Sequence, residues 1–210
     1  MPRSPVFALI CVISVVTLAA DDKPVRAPYV ESGDCWSYHA ENFENRGPVD
    51  DFQLCVTFVD KQKDVIKAVT TVKSDGREID VTFTADWGTL VSSTGRIFTP
   101  PARIMKFPLR VGDAYTVEFE YRNTLNGAMA GKQKYEMKVV GWEDVIVPAG
   151  RFRALKIEGS GPGERYDRQV RYSAKITYWY APEVNQKIKY EFIYPNGRES
   201  VELTGYKLNK

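Results

Sequence analysis

The strongest constraint on the fold of this chain is an alternation of apolar and polar residues with a period of two. In an extended strand successive side chains point to opposite faces, so such a segment has one apolar face to bury and one polar face for water. No stretch of helical length carries a convincing period of 3.6 residues. The sequence therefore predicts an all-β protein. The alternation covers six segments: 52–59, 79–86, 115–121, 135–139, 172–180 and 188–194.

Turn residues separate these segments in a way that favours hairpins. Asp75-Gly76 and Asn196-Gly197 are dipeptides that tolerate the positive φ of tight turns. Sequential hairpins give an antiparallel meander, here of about ten strands. The meander could form a two-sheet sandwich or one curved sheet, as an open barrel or a closed one. Two stretches look irregular: 88–107, expected to be a long connection, and 159–163, expected to be a flexible loop.

The N-terminus has the layout of a secretory signal peptide over residues 1–20. Arg3 precedes an uncharged apolar run, Val6 to Ala20, and charged residues follow at once. The run is short for a membrane span of about 20 residues. We therefore expect export to the periplasm or secretion, with no transmembrane segment after leader removal. Residues 21–33 are predicted to be a linker, and residues 34–210 a single antiparallel β domain.

The net charge and the cysteine content limit which partners and cofactors the sequence predicts. The net charge is only +2 and the two signs are interspersed, which argues against a nucleic-acid partner. Cys11 lies in the leader. Cys35 and Cys55 both fall out of phase with the apolar residues of their segments, so pairing of these strands would bring the thiols together as a disulfide. Because the chain has no CxxC and one histidine, His39, we predict no metal site and no cofactor.

No catalytic residues stand out. His39 has no recognisable nucleophile to serve, since no serine lies in a Gly-x-Ser-x-Gly elbow. Carboxylate pairs such as Glu118 with Glu120 alternate with apolar residues, so they are expected on the solvated face. We predict no catalytic site on these grounds.

Aromatic residues supply the remaining candidate site. They are dense in the last third of the chain, where they are interleaved with Arg and Lys. Aromatic side chains are favoured in strands and fill β cores, but they can also line a ligand pocket. The alternation places Tyr178 and Tyr180 on the face of Ile176, and Trp179 on the opposite face. The predicted ligand-binding residues are Tyr172, Tyr178, Trp179 and Tyr190.

Several short strings resemble those of a known family. The strings Pro108–Asp113, Val140–Val145, Val147–Phe152 and Tyr178–Pro182 occur in an order similar to that of the TapB-like exported bacterial proteins of unknown function, which carry V-P-A-G-x-F and W-Y-A-P motifs. The resemblance covers roughly residues 108–194. It implies an antiparallel curved sheet like that of lipocalins or lipoprotein carriers, and it implies no catalytic residues.

Three functions are compatible with these observations. The first is a non-catalytic envelope protein that binds an apolar or lipid-like ligand, or another envelope component. The second is a hydrolase acting on envelope polymers through a carboxylate pair. The third is a carbohydrate-binding module that uses exposed aromatics such as Trp179. A cavity lined by apolar side chains would favour the first, converging buried carboxylates the second, and a flat exposed aromatic row the third.

Overall fold

The described residues of this computed structural model, 23–42, 50–195 and 197–209, form twelve β-strands. One short 3-10 helix, Pro182–Val184, lies between the tenth and eleventh strands. The predicted all-β class is confirmed. The strands are β1 Cys35–Asn42, β2 Phe52–Asp60, β3 Val65–Val72, β4 Glu78–Phe83, β5 Thr89–Ser92, β6 Arg96–Ala102, β7 Ala114–Asn123, β8 Met129–Val147, β9 Gly150–Arg165, β10 Val170–Ala181, β11 Gln186–Tyr194 and β12 Gly197–Lys207.

The sheet is an antiparallel meander that closes into a barrel. Each strand pairs with its neighbours in sequence, and β1 pairs with both β2 and β12. Of the two alternatives, the curved barrel is therefore confirmed and the two-sheet sandwich is wrong; the barrel is closed rather than open. Closure leaves no unpaired edge between β1 and β12, the two strands that would otherwise be exposed at the ends of the sheet.

The first hairpin carries the disulfide. Cys35 lies directly opposite Cys55 in the register of β1 and β2, and the two form a disulfide bond. Their neighbours Trp36 and Leu54 point into the barrel and are buried. The predicted pairing is confirmed, because the alternation puts both sulfurs on the same outer face.

One end of the barrel, which we call the floor, is filled by aromatic side chains around the 3-10 helix. The indole N–H of Trp36 donates to the carbonyl of Val184 at 2.8 Å, and that of Trp87 donates to the carbonyl of Asn185 at 2.8 Å. The two indoles pack edge to face with centroids 5.4 Å apart. These bonds satisfy carbonyl groups that would otherwise be buried without a donor. The 3-10 helix and these hydrogen-bonded side chains thus close this end of the barrel.

Both stretches expected to be irregular contain strands. Residues 88–107 include β5 and β6, which the pattern missed because β5 has only four residues and β6 contains two prolines. Residues 159–163 lie inside β9 and are not a loop. Their glycines face the barrel interior, where a Cβ on Gly159 would collide with Met137 and one on Gly163 with Tyr172. Glycine is required there for close approach of side chains, not for a turn.

The N-terminal segment packs on the barrel where the structure describes it. Val25 pairs with Leu109 through two backbone hydrogen bonds of 2.8 and 2.9 Å, and Val30 is buried in the core. Residues 23–33, part of the predicted linker, are therefore held against the domain. The predicted signal peptide, residues 1–20, lies outside the described residues, as does Cys11.

Candidate functional site in the barrel interior

Above the floor the barrel encloses a cavity of about 480 Å³, which we call the inner cavity. A second cavity of about 380 Å³, the rim cavity, lies towards the opposite end of the barrel, where the β5–β6 and β9–β10 turns are. Pockets that hold small molecules have volumes of roughly 300–1,000 Å³. Each cavity has the size of a ligand site. The two share part of their walls: Thr94, Phe98, Phe119, Tyr135 and Phe192.

The wall of the inner cavity is mainly apolar. It is built from the inward residues of the strands, including Leu54, Val81 and Ile176. Phe98 and Phe119 pack edge to face with centroids 5.4 Å apart. The inner cavity arises because the residues that line it do not fill the space that the closed sheet encloses. Such a wall suits an apolar molecule.

A lysine, Lys187, also lines the inner cavity. The alternation of β11 places it on the outer face, but the strand is irregular there. Trp179 pairs with Lys189 and Tyr180 with Lys187, so Ile188 is an extra residue on β11. This β-bulge turns both Lys187 and Ile188 inward. Bulges commonly redirect a side chain in this way, and the period of the sequence cannot reveal them.

The Lys187 ammonium lies against two tyrosine rings and has no counter-ion. Its Nζ is 5.5 Å from the ring centroids of both Tyr178 and Tyr190, within range of a cation–π contact. Among the residues that the structure describes, no carboxylate forms an ion pair with it and no acceptor bonds to it. Burial lowers the pKa of Lys187 to about 8, because the charged form loses hydration. At neutral pH it is still a cation.

The tyrosines of the inner cavity remain neutral and are available as donors. Burial raises the pKa of the Tyr178 and Tyr190 phenols. The Tyr190 hydroxyl donates to Glu199 Oε1 at 3.1 Å, which holds that carboxylate on the wall. Burial likewise raises the pKa of Tyr135, which also lines the cavity. The wall therefore carries one cation, Lys187, one carboxylate, Glu199, and several neutral hydroxyls.

The four predicted ligand-binding residues do not form one site. Tyr178 and Tyr190 line the inner cavity, and Tyr172 lines the rim cavity. Trp179 lies on the outer face, as predicted, with its indole N–H donating to Glu143 Oε2 at 2.8 Å. The ammonium groups of two lysines, on strands β9 and β11, are 5.6 and 5.5 Å from its ring. Its surroundings are an outer-face polar cluster and not a flat aromatic row.

The side chains considered for catalysis lie outside the barrel. Glu118 and Glu120 are exposed, as the alternation predicts. His39 Nδ1 is 2.6 Å from Asp51 Oδ1, and this hydrogen bond is the main cause that raises the pKa of His39. Ser37 accepts a hydrogen bond from Gln53 at 3.2 Å. Within the described part of the chain, the partners of His39 are the carboxylates Asp51 and Glu41, and no serine is bonded to it.

Other features of the described residues do not compete with the barrel interior. A groove of about 720 Å³ on the outside is lined by residues 29–32 and 57–62. It is larger, but Lys61 already stacks on Tyr29 there, with Nζ 3.8 Å from the ring centroid. In residues 23–42, 50–195 and 197–209, no group of three or more His, Cys, Asp or Glu is placed to hold a metal ion. No helix in these ranges is long and apolar enough to span a membrane.

Comparison with solved structures identifies proteins of the same fold. A candidate exported protein with a YmcC-like fold from Bacteroides fragilis matches with a TM-score of 0.56 at 14% identity, covering 88% of this chain and all of that one. A candidate lipoprotein from Parabacteroides distasonis matches with a TM-score of 0.54 at 14% identity, covering 89% of this chain and all of that one. The hypothetical lipoprotein YmcC from Escherichia coli matches with a TM-score of 0.47 at 8% identity, covering 91% of this chain and 93% of that one.

The first two matches show that the fold is YmcC-like. At this level of identity they show the fold alone. No family model and no curated protein matches the sequence, so the comparisons do not support the resemblance to the TapB-like family. The strings that suggested it lie at turns and strand ends: Val147–Phe152 spans the β8–β9 turn, and Tyr178–Pro182 ends β10.

Proposed function

We propose that this chain is an exported, non-catalytic protein of the bacterial envelope that binds an apolar, lipid-like molecule inside its barrel. The observation that carries the proposal is the inner cavity of about 480 Å³, with its largely apolar wall. Burial of apolar surface drives binding by roughly 25 cal/mol per Å² before the costs of association. A cavity of this kind favours a hydrocarbon chain over a polar solute.

Export has independent support. The N-terminal residues have the layout of a signal peptide, and the structures of the same fold are described as those of exported proteins or lipoproteins. The Cys35–Cys55 disulfide fits an oxidising compartment such as the periplasm or the extracellular space. A lipid-like ligand is also the kind of molecule that an envelope compartment supplies.

A cavity-filling substitution tests the proposal. Thr70 is buried on β3 and lines the inner cavity, so Thr70→Trp places an indole in the space that the ligand would occupy. Thr71 is its neighbour on the same strand and points to the other face, so Thr71→Trp is the matched control. N-phenyl-1-naphthylamine, a neutral apolar dye, becomes fluorescent when it enters such a cavity.

The wild-type protein and Thr71→Trp should bind the dye saturably, one molecule per chain. Thr70→Trp should bind it at least about tenfold more weakly, equivalent to about 1.4 kcal/mol, and far-UV circular dichroism should show that the variant is folded. The proposal fails if the wild type shows no saturable binding, or if a folded Thr70→Trp binds as well as Thr71→Trp. Lipid extraction and mass spectrometry of protein purified from a periplasm would then identify the natural ligand.

A further inference from the structure

Lys187 places a positive charge in an interior that is otherwise mainly apolar, and binding of an apolar ligand does not require that charge. A lysine side chain is rarely buried unless it is paired, and hydrocarbon alone would gain nothing from it. Yet its Nζ faces the cavity with only the rings of Tyr178 and Tyr190 beside it, 5.5 Å from each centroid. A bulge in β11 places it there, although the outer face of the same strand was available.

We propose that Lys187 binds the acidic head of the ligand, and that the ligand is a long-chain carboxylic acid held head-inward. This inference rests on the proposed function and specifies the ligand class. A ligand carboxylate would pair with an ammonium that forms no ion pair within the described residues, in a partly buried site where a charge-assisted hydrogen bond is stronger than in bulk water.

Two hydroxyl groups of the inner cavity can donate to a carboxylate. Tyr178 and Tyr135 line the same cavity, and within the described residues neither hydroxyl donates to a protein acceptor. Burial keeps both phenols protonated by raising their pKa. A carboxylate has two oxygens that accept several hydrogen bonds. One ammonium and neutral phenols therefore suit a singly charged acceptor better than a dianion.

The charge balance favours a monoanion over a phosphate. The cavity wall contains two charged side chains, Lys187 and Glu199, and the carboxylate of Glu199 is held by the hydroxyl of Tyr190. Any ligand anion would share Lys187 with Glu199, so a dianion would set three negative charges against one cation, whereas a carboxylate sets two against one. Like charges in such a low-dielectric site repel strongly.

The position of Lys187 sets the direction of the ligand. It follows the 3-10 helix of the floor by three residues, and its backbone carbonyl accepts a hydrogen bond from Tyr38 at 3.0 Å. From there the wall continues through Phe119 and Phe192 into the rim cavity. The two arginines of the rim cavity, Arg96 and Arg165, already pair with Asp167. The acid head would lie near the floor and the hydrocarbon tail would extend towards the rim.

Displacement of N-phenyl-1-naphthylamine by dodecanoic acid and by dodecanol, at pH 7, tests this inference. The two ligands share one chain and differ only in the charged head. The wild type should bind the acid at least about tenfold more tightly than the alcohol, as expected for a hydrogen bond to a charged group. In Lys187→Met the preference should disappear, while the alcohol should still bind. Lys175→Met is the control, since Lys175 is exposed on β10, and it should keep the preference.

The outcomes separate the two proposals. If the wild type binds acid and alcohol equally, or if Lys187→Met keeps the preference, the assignment of Lys187 is overturned and the lipid-like ligand stands. If neither compound displaces the dye and the dye itself does not bind, the proposed function fails and this inference fails with it.

Discussion

A buried cation kept for binding should cost stability, and Lys187 allows that cost to be measured. Burial lowers the pKa of Lys187 from its ordinary value of 10.5 to about 8. Each pH unit of such a difference corresponds to about 1.4 kcal/mol, so the charged form is disfavoured in the folded state by roughly 3 kcal/mol. Because the Lys187 side chain is only partly buried, this value is an upper bound. Lys187→Met should therefore raise the free energy of unfolding at pH 7 by roughly 1–3 kcal/mol.

The stability difference between Lys187→Met and the wild type should depend on pH. Between pH 8 and 10.5 the unfolded chain holds a proton on Lys187 that the folded chain has lost, so the wild type gains stability as pH rises through this window. Lys187→Met has no such group. The amount by which Lys187→Met is more stable than the wild type should be largest below pH 8, smaller by about half at pH 9.5, and zero above pH 10.5.

Urea unfolding of both proteins at pH 7 and pH 9.5 measures the effect, with midpoints compared at unchanged slopes. Lys175→Met serves as the control for loss of a charge on the outer face, and it should change stability by less than about 0.5 kcal/mol at both pH values. A variant Lys187→Met that is less stable than the wild type at pH 7, or whose advantage does not change with pH, would refute the reasoning.

Three further predictions follow from other contacts. The pKa of His39 should lie above 6.5, because Asp51 stabilises the charged imidazole. Asp51→Asn should lower the pKa of His39, and an NMR titration of this histidine in both proteins measures the change. An unchanged pKa in Asp51→Asn would contradict the hydrogen bond. Tyr180→Ala should destabilise the protein by roughly 3–5 kcal/mol, because the ring is fully buried. Trp179→Ala should reduce the free energy of unfolding much less in the same urea assay. The reverse order would place Trp179 in the core. Cys55→Ala should lower the free energy of unfolding by roughly 3 kcal/mol through loss of the disulfide; equal stability would show that the bond is not formed.

The local features of the fold were predictable from the sequence because the period of two is a local signal. It assigned the all-β class and the outward direction of Cys35 and Cys55, and hence their pairing. It also placed Trp179 outside and Tyr178 inside. Each of these depends only on which side of a strand a residue faces.

Features that depend on distant pairing or on irregular strands were not predictable. Closure of the barrel requires β1 to meet β12, a contact between the two ends of the domain that no local pattern encodes. Bulges shift the alternation without a sequence mark: one turns Phe58 outward, where it is 49% exposed, and another turns Lys187 inward. The residue most informative about the site, Lys187, was therefore not among the predicted ligand-binding residues.

The most direct test of the central claim is to locate a bound chain by NMR. Decanoic acid is added to isotope-labelled protein, and nuclear Overhauser contacts are recorded between ligand protons and protein side chains. The account predicts contacts from the hydrocarbon chain to the rings of Phe98 and Phe119, with the carboxylate end near Lys187. Contacts confined to the outer groove beside Tyr29, or no contacts at saturating decanoate, would contradict it.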